Sequence, residues 1–321
     1  MAAVSPFSEG ALPYAPDAAD RRRDHPRIRF AARVGAGIAI LVATVLVVGL
    51  GPFLHGFAAI SPLSVLAALA LAVIATSAAA WRWRVVATGY GLTLSRRAGF
   101  AAYYRSQFLN AVLPAGILGD VHRAWAHGRD QARLGIAARA VAVERILGQI
   151  VQVALTLAIL LPLGFGSRLV PLVWGAGAIA AGIAVMAATA VILPRPRRLL
   201  QQEYLLLRPV LARPAALLAI ITASVVVVAA HVALFLVASL AVGLRPDGAI
   251  AAVGLVVLAA SAIPLNVGGW GPREAVAGAA FALVGLGASA GVSASAAFGA
   301  LALIGVLPGA VVLLVEQRRR L

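Results

Sequence analysis

Long apolar runs alternate with short, arginine-rich connections along almost the whole chain. Two shorter apolar stretches, 98–113 and 249–263, end at Pro114 and Pro264. We interpret them as half-helices, because proline lacks a backbone donor and cannot continue a helix. Six other runs reach the roughly 20 residues that a helix needs to cross a bilayer: 34–54, 63–81, 142–163, 170–193, 215–242 and 292–315. The pattern predicts an all-α integral membrane protein with six full spans.

Composition indicates that lipid is the solvent for most of the chain. Hydrophobic residues make up 62% of the 321 positions and charged residues 12%, whereas a soluble domain is about half apolar and about a quarter charged. Residues 1–28 differ, since they are rich in proline and alanine and then basic, and we predict a disordered cytoplasmic tail. The apolar run that follows is too long for a signal-peptide core, so we expect it to remain as a membrane anchor.

The arginines predict an orientation. They gather before the first span, after the second, between the fourth and fifth, and after the last, and positively charged connections face the cytoplasm. Both termini are therefore predicted to be cytoplasmic, in a multi-pass protein of the inner (plasma) membrane. Six spans satisfy this only if 98–123 and 249–286 are re-entrant hairpins, the first from the cytoplasmic side and the second from outside. Because the arginines flank apolar runs, the net charge of +16 indicates anionic lipid and not nucleic acid.

The two predicted hairpins carry similar tips. An offset of 150 residues aligns Pro114 with Pro264, Gly119 with Gly269, and Arg123 with Arg273. Helices that end inside a membrane leave backbone groups that must line a cavity or bind a polar ligand. The candidate tip residues are those that end helices or permit tight backbone paths: Pro114, Gly119, Pro264, Gly268, Gly269 and Gly271.

Nearly the same offset places the second span on the fifth and the third on the sixth. The sequence therefore predicts two membrane repeats, residues 29–165 and 166–321, each with the order span, span, hairpin, span. The charge pattern inserts the second repeat upside down relative to the first. Inverted repeats with broken helices that meet near the bilayer midplane are a recurring plan of transporters.

Three motifs carry a resemblance to a known family. Asn110 and Pro114 lead into Gly119, Asp120 and Arg123; Glu144 and Arg145 are adjacent in the third span; and Pro264 through Glu274 reads Pro-Leu-Asn-Val-Gly-Gly-Trp-Gly-Pro-Arg-Glu. Together they resemble the lysylphosphatidylglycerol synthase transmembrane (flippase-like) family over about residues 30–316. One departure is Leu118-Gly119, where that family has two glycines.

The resemblance implies a protein that moves lipids between leaflets. The full-length synthase also carries a large cytoplasmic aminoacyltransferase domain after its membrane region, whereas this chain ends at Leu321. We therefore do not expect it to make lysylphosphatidylglycerol itself. The expected ligand is an anionic or aminoacylated phospholipid or a polyprenyl-linked lipid, and a glycosyltransferase or lipid synthase is a further candidate partner.

Charged and amide side chains within the membrane segments are the candidate site. An ionisable group there costs about 2.5–3.5 kcal/mol, so it is usually paired and functional, and a planar guanidinium suits a lipid phosphate. We hypothesise that the arginines of the two tips bind the headgroup alternately while the neighbouring acids hold the empty arginine. The candidate headgroup-binding residues are Arg123, Arg273, Asp120, Glu274, Glu144, Arg145, Asn110 and Asn266.

Other interpretations stay open. Glu144 fits a structural ion pair equally well, and Asn110 and Asn266 also suit the capping of broken helices. The chain could be an accessory membrane subunit for a lipid- or polyprenyl-dependent glycosyltransferase, or a membrane-embedded lipid-modifying enzyme. We predict no enzyme, no catalytic residue, no metal and no cofactor, because the sequence has no clustered metal ligands, no nucleophile motif and no nucleotide-binding loop.

Overall fold

The computed structural model describes residues 26–113, 116–164, 201, 204–208, 210–261 and 270–318. Several predictions fall wholly or largely outside this part of the chain, namely the tail 1–28, the span 170–193 and the tip residues Pro114, Pro264, Asn266, Gly268 and Gly269. The described part is helical. Its helices are α1 (Pro26–Val48), α2 (Gly51–Ala58), α3 (Pro62–Gly89), α4 (Arg96–Val112), α5 (Leu118–Asp130), α6 (Leu134–Gly164), α7 (Pro214–Ala241), α8 (Gly248–Ser261), α9 (Pro272–Leu283), α10 (Ala288–Val306) and α11 (Pro308–Arg318).

In the described part of the chain, four helical stretches are long and apolar enough to cross a membrane. These are α3, Leu134–Pro162 within α6, α7, and Ala288–Glu316, which joins α10 to α11. Helices thus occupy four of the six predicted spans. Both α3 and α7 begin with proline in the first helical turn, where its missing N–H has no helical partner to lose, and both are 28 residues long.

The first predicted span, 34–54, is broken. Helix α1 ends at Val48, α2 begins at Gly51, and the two helices differ in direction by 97°. Gly49 has a φ of 88°, a left-handed conformation that residues with a side chain rarely adopt. The apolar pattern alone carries no sign of this bend, since it continues through the break without a polar residue.

Each predicted hairpin segment contains two helices, and residues 114–115 and 262–269 between them lie outside the described part of the chain. Helices α4 and α5 pack against each other, as do α8 and α9. At the first crossing, a Cβ at Gly119 would lie 2.8 Å from Asn110 Oδ1 and would also collide with the Ser106 carbonyl. Only glycine lets α5 approach α4 this closely, which explains its place at the predicted tip.

The two larger apolar cores of the described region hold its helices together. One surrounds Trp83 and Tyr103 and involves α3, α4, α5, α6 and α7. The other surrounds Phe235, which contacts Phe281 and Phe298 edge-on from α9 and α10. Since α3 and α7 pack along each other and contribute to both cores, polar side chains on their facing surfaces are enclosed by apolar ones.

Candidate functional site

Glu144 on α6 is the centre of a buried ion network. Its Oε1 accepts hydrogen bonds from Arg82 Nε at 2.9 Å and Arg82 Nη2 at 2.5 Å, and from the Tyr103 hydroxyl at 3.2 Å. Its Oε2 accepts from Arg123 Nη2 at 3.1 Å. Arg82 also donates through Nη1 to Ser224 on α7 at 2.9 Å. One carboxylate therefore connects α3, α4, α5, α6 and, through Arg82, α7.

Asp120, in the first turn of α5, extends this network toward the break between α4 and α5. Its Oδ1 accepts from Arg123 at 2.9 Å and from Ser106 at 3.1 Å. Its Oδ2 accepts from Arg145 at 2.7 Å and from Asn110 at 3.1 Å. We call Arg82, Asp120, Arg123, Glu144 and Arg145 the first cluster.

The three arginines of the first cluster differ in exposure. The side chain of Arg123 is fully buried and stacks between two rings, with its Cζ 4.1 Å from the centre of Tyr103 and 4.5 Å from that of Trp83. The side chain of Arg82 is 6% exposed, whereas that of Arg145 is 40% exposed. Arg145 is therefore the guanidinium that can reach a ligand with least rearrangement.

The second cluster consists of Arg273, Glu274 and Ser295. Arg273 donates to Glu274 Oε1 from Nε at 2.8 Å and from Nη2 at 2.5 Å, and Ser295 donates to the same oxygen at 3.2 Å. Glu274 Oε2 accepts the Gly271 N–H at 2.8 Å, which caps the start of α9. Trp270 lies beside the guanidinium, with its ring centre 5.0 Å from the Arg273 Cζ.

A cavity of about 360 Å³ borders both clusters. Its walls come from α3, α4, α6, α7, α8, α9 and α10, and they combine apolar side chains with Gln149, Gln152 and His231. Arg82 and Arg145 from the first cluster and Arg273 from the second lie in this wall, and Arg123 is absent from its described lining. Three guanidinium groups thus meet one polar space inside an apolar helix bundle.

A second cavity of about 550 Å³ shares Arg145 with the central cavity. Its walls are mainly apolar and include Val121, Trp125, Leu134 and Val141 from α5 and α6, together with the charged Asp120 and Arg145. We call it the lateral groove. Arg145 therefore borders both an apolar groove and the polar central cavity.

The structure brings most of the candidate residues together. Asp120, Arg123, Glu144, Arg145 and Asn110 belong to one network, and Arg273 and Glu274 form the other. Asn110 donates to Asp120, and its Oδ1 accepts the Gly119 N–H at 2.7 Å. It therefore stabilises the start of α5 while lining the cavity. Asn266 lies outside the described residues, and headgroup binding by these residues stays a prediction.

Sequence reasoning missed Arg82, Tyr103 and Ser224. The arginine pattern places Arg82 among the cytoplasmic arginines because the apolar run ends at residue 81, but α3 continues to Gly89. The available signal is the absence of proline and glycine between Arg82 and Gly89, which leaves the helix uninterrupted. Within the described region no three His, Cys, Asp or Glu side chains lie close enough to hold a metal ion.

Comparison with known proteins identifies the family. No curated protein and no solved structure matches the chain. The family model of the lysylphosphatidylglycerol synthase TM region matches residues 32–309, which is most of the chain and includes both clusters. It confirms the resemblance seen in the motifs around Asp120, Glu144 and Glu274. With its apolar helices, the chain is a multi-pass membrane protein and belongs to the lysylphosphatidylglycerol synthase TM region family.

Proposed function

We propose that this protein moves a phosphate-bearing lipid between the leaflets of the inner membrane and catalyses no covalent step. The observation that carries the proposal is the central cavity, where Arg82, Arg145 and Arg273 meet inside an apolar bundle. Burying a guanidinium without a use for it is costly in a membrane. A lipid phosphate is the ligand in a bilayer that accepts several guanidinium hydrogen bonds at once.

The lateral groove supports a route for the lipid. Its apolar wall suits acyl chains, which remain in contact with the membrane while the headgroup passes Arg145. Arg145 borders both spaces and donates to Asp120. In our proposal the phosphate replaces the Asp120 carboxylate as the partner of Arg145, so the headgroup exchanges one ion pair for another without leaving a bare charge.

The order of helices supports the proposed topology of six spans, two re-entrant hairpins, an inverted repeat and cytoplasmic termini. A long helix, two short helices and a long helix follow one another as α3 to α6, and again as α7 to α10. α7 begins 152 residues after α3, close to the offset of 150 that aligns the tips. In such a plan the short helices meet near the midplane, where a headgroup must cross.

The hydrogen bonds and positions of the carboxylates favour a transporter over an enzyme. Asp120, Glu144 and Glu274 each accept hydrogen bonds from an arginine, and none of them borders the central cavity. A general acid or base must reach the reacting atom at hydrogen-bond distance. In the described cavity wall no acidic side chain is placed to do so.

Reconstitution tests the proposal. The full chain is inserted into liposomes that contain phosphatidylglycerol with a fluorescent acyl chain, and a reductant added outside destroys only the outward-facing label. Protein-containing vesicles should lose clearly more than the outer-leaflet half of the signal, and empty vesicles should not. Arg145→Gln should slow the loss about tenfold, the equivalent of about 1.4 kcal/mol.

Arg97→Gln is the matched control, since Arg97 lies exposed in the first turn of α4 and outside the cavity lining. It should transport like the unchanged protein. If folded, correctly inserted protein leaves the inner-leaflet label intact, the translocation proposal is wrong.

A further inference from the structure

We infer that the central cavity selects headgroups by net charge: it takes phosphate headgroups with a net negative charge, such as phosphatidylglycerol, and rejects aminoacylated ones. This inference rests on the proposed function and deepens it. It concerns the ligand class of the same cavity, and it follows from the charges in the described wall.

The first cluster carries one more positive charge than it can neutralise. It contains the guanidinium groups of Arg82, Arg123 and Arg145 and the carboxylates of Asp120 and Glu144, which leaves a net charge of +1. All four carboxylate oxygens already accept an arginine hydrogen bond. The surplus charge therefore has no partner left within the cluster.

Arg145 is where the surplus charge is accessible. Its guanidinium donates to Asp120 at 2.7 Å, and its Nε has no hydrogen-bond partner among the described residues. It borders the central cavity and the lateral groove, and its side chain is the most exposed of the three. A ligand that reaches the cavity from the groove meets this charge first.

The second cluster adds no net charge to the surplus of +1. Arg273 and Glu274 neutralise each other, and Ser295 completes the coordination of the carboxylate. Arg273 lines the cavity and Glu274 does not. The described cavity wall therefore presents three arginines and no acid.

A headgroup with net charge −1 would offset the surplus charge of the two clusters taken together, which is +1. An aminoacylated headgroup carries a phosphate and additional ammonium groups, and its ammonium groups would need acceptors such as carboxylates. The described wall offers amides, two serines, a tyrosine and an imidazole, but no carboxylate. Like charges brought together in a poorly solvated site are strongly unfavourable, so the cationic lipid should bind at least about tenfold more weakly.

Binding and transport are measured separately. The detergent-purified full chain is titrated with short-chain phosphatidylglycerol, phosphatidylethanolamine, lysylphosphatidylglycerol and soluble glycerol 3-phosphate, and the shift in thermal unfolding gives the apparent affinity. Phosphatidylglycerol should bind most tightly, phosphatidylethanolamine more weakly, and lysylphosphatidylglycerol at least about tenfold more weakly than phosphatidylglycerol. Labelled versions of the lipids are then compared in the vesicle experiment.

Arg145→Gln sharpens the test, because it makes the first cluster neutral while Asp120 keeps Arg123 and Asn110 as partners. The ratio of affinities for the anionic and cationic lipids should fall by about tenfold in this variant and stay unchanged in Arg97→Gln. A loss of fold would lower both affinities and leave the ratio intact.

The outcomes are distinguishable. Equal affinities for the anionic and the lysyl lipid, or tighter binding of the latter, overturn the charge inference even if both lipids cross the vesicle membrane. Selective binding of phosphatidylglycerol without any translocation upholds the inference and contradicts the proposed function. If glycerol 3-phosphate binds as tightly as the lipid, the ligand is a soluble phosphate, which supports the anionic class but contradicts lipid as its source.

Discussion

The two buried ion clusters use the same residue types in different proportions. The second is a neutral pair, in which Arg273 and Glu274 are neighbours in sequence and one serine completes the arrangement. The first has three arginines around two carboxylates, and its members come from three different helices. Each cluster contributes arginines to the wall of the central cavity.

The difference shows how stability and ligand binding can be divided between similar motifs. A neutral pair fixes the start of α9 and can be complete without a ligand, since Glu274 also caps Gly271. A cluster with surplus charge is complete only when an anion is near. We therefore expect changes to the first cluster to affect both folding and lipid selectivity. In the second cluster, replacement of Arg273 should affect mainly lipid movement, because Arg273 lines the cavity and Glu274 does not.

Neutralising one acid in each cluster should give the largest losses of stability. Glu144→Gln leaves Arg82 and Arg123 without the charge they share, and it should cost about 3–5 kcal/mol of stability, as expected when one partner of a buried ion pair is removed. Glu274→Gln should cost less, because a single arginine loses its counter-charge and the amide oxygen can still accept the Gly271 N–H. Thermal unfolding in detergent and abundance in the membrane measure both. A larger loss for Glu274→Gln would contradict this ranking.

Replacing arginine by lysine separates a structural arginine from a ligand-binding one. Arg123→Lys loses stacking on two rings and a bridge between two carboxylates, so it should lower the free energy of unfolding by about 1.5–3 kcal/mol. Arg273→Lys should keep normal membrane abundance yet lose most lipid movement, because a point charge cannot bind phosphate through a planar fork. Abundance and vesicle transport are measured together for each variant. Normal transport by Arg273→Lys would show that this pair is structural.

Two glycines provide a smaller and more local test. A Cβ at Gly148 would lie 2.8 Å from the Arg82 guanidinium, and a Cβ at Gly299 would collide with that of Arg273. Alanine raises helix propensity by about 1 kcal/mol, which offsets part of the steric cost, so net stability should change little. Transport should fall several-fold in both variants, because the guanidinium must move within the cavity wall. Gly135→Ala, where added atoms meet open space, is the control.

Local composition predicted much of this arrangement, and long-range packing decided the rest. The apolar runs located four long helices of the described region, and two predicted tip glycines, Gly119 and Gly271, lie at the starts of α5 and α9. The pairing of Arg82 with Glu144 could not be predicted, because these residues are 62 positions apart and belong to helices whose packing the sequence does not specify. The bend at Gly49 was missed for a related reason: glycine permits a bend without requiring one.

The absence of lysine from the chain has a consequence for how transport responds to pH. The cations of the described cavity wall are all arginines, and a guanidinium keeps its proton at every pH at which proteins stay folded. His231 also lies in the described wall, where its Nδ1 donates to the Val227 carbonyl at 2.7 Å. The arginines of the described wall therefore contribute the same positive charge across physiological pH. A transport rate that changes with pH would report protonation of His231 or of the lipid, and His231→Gln would distinguish the two.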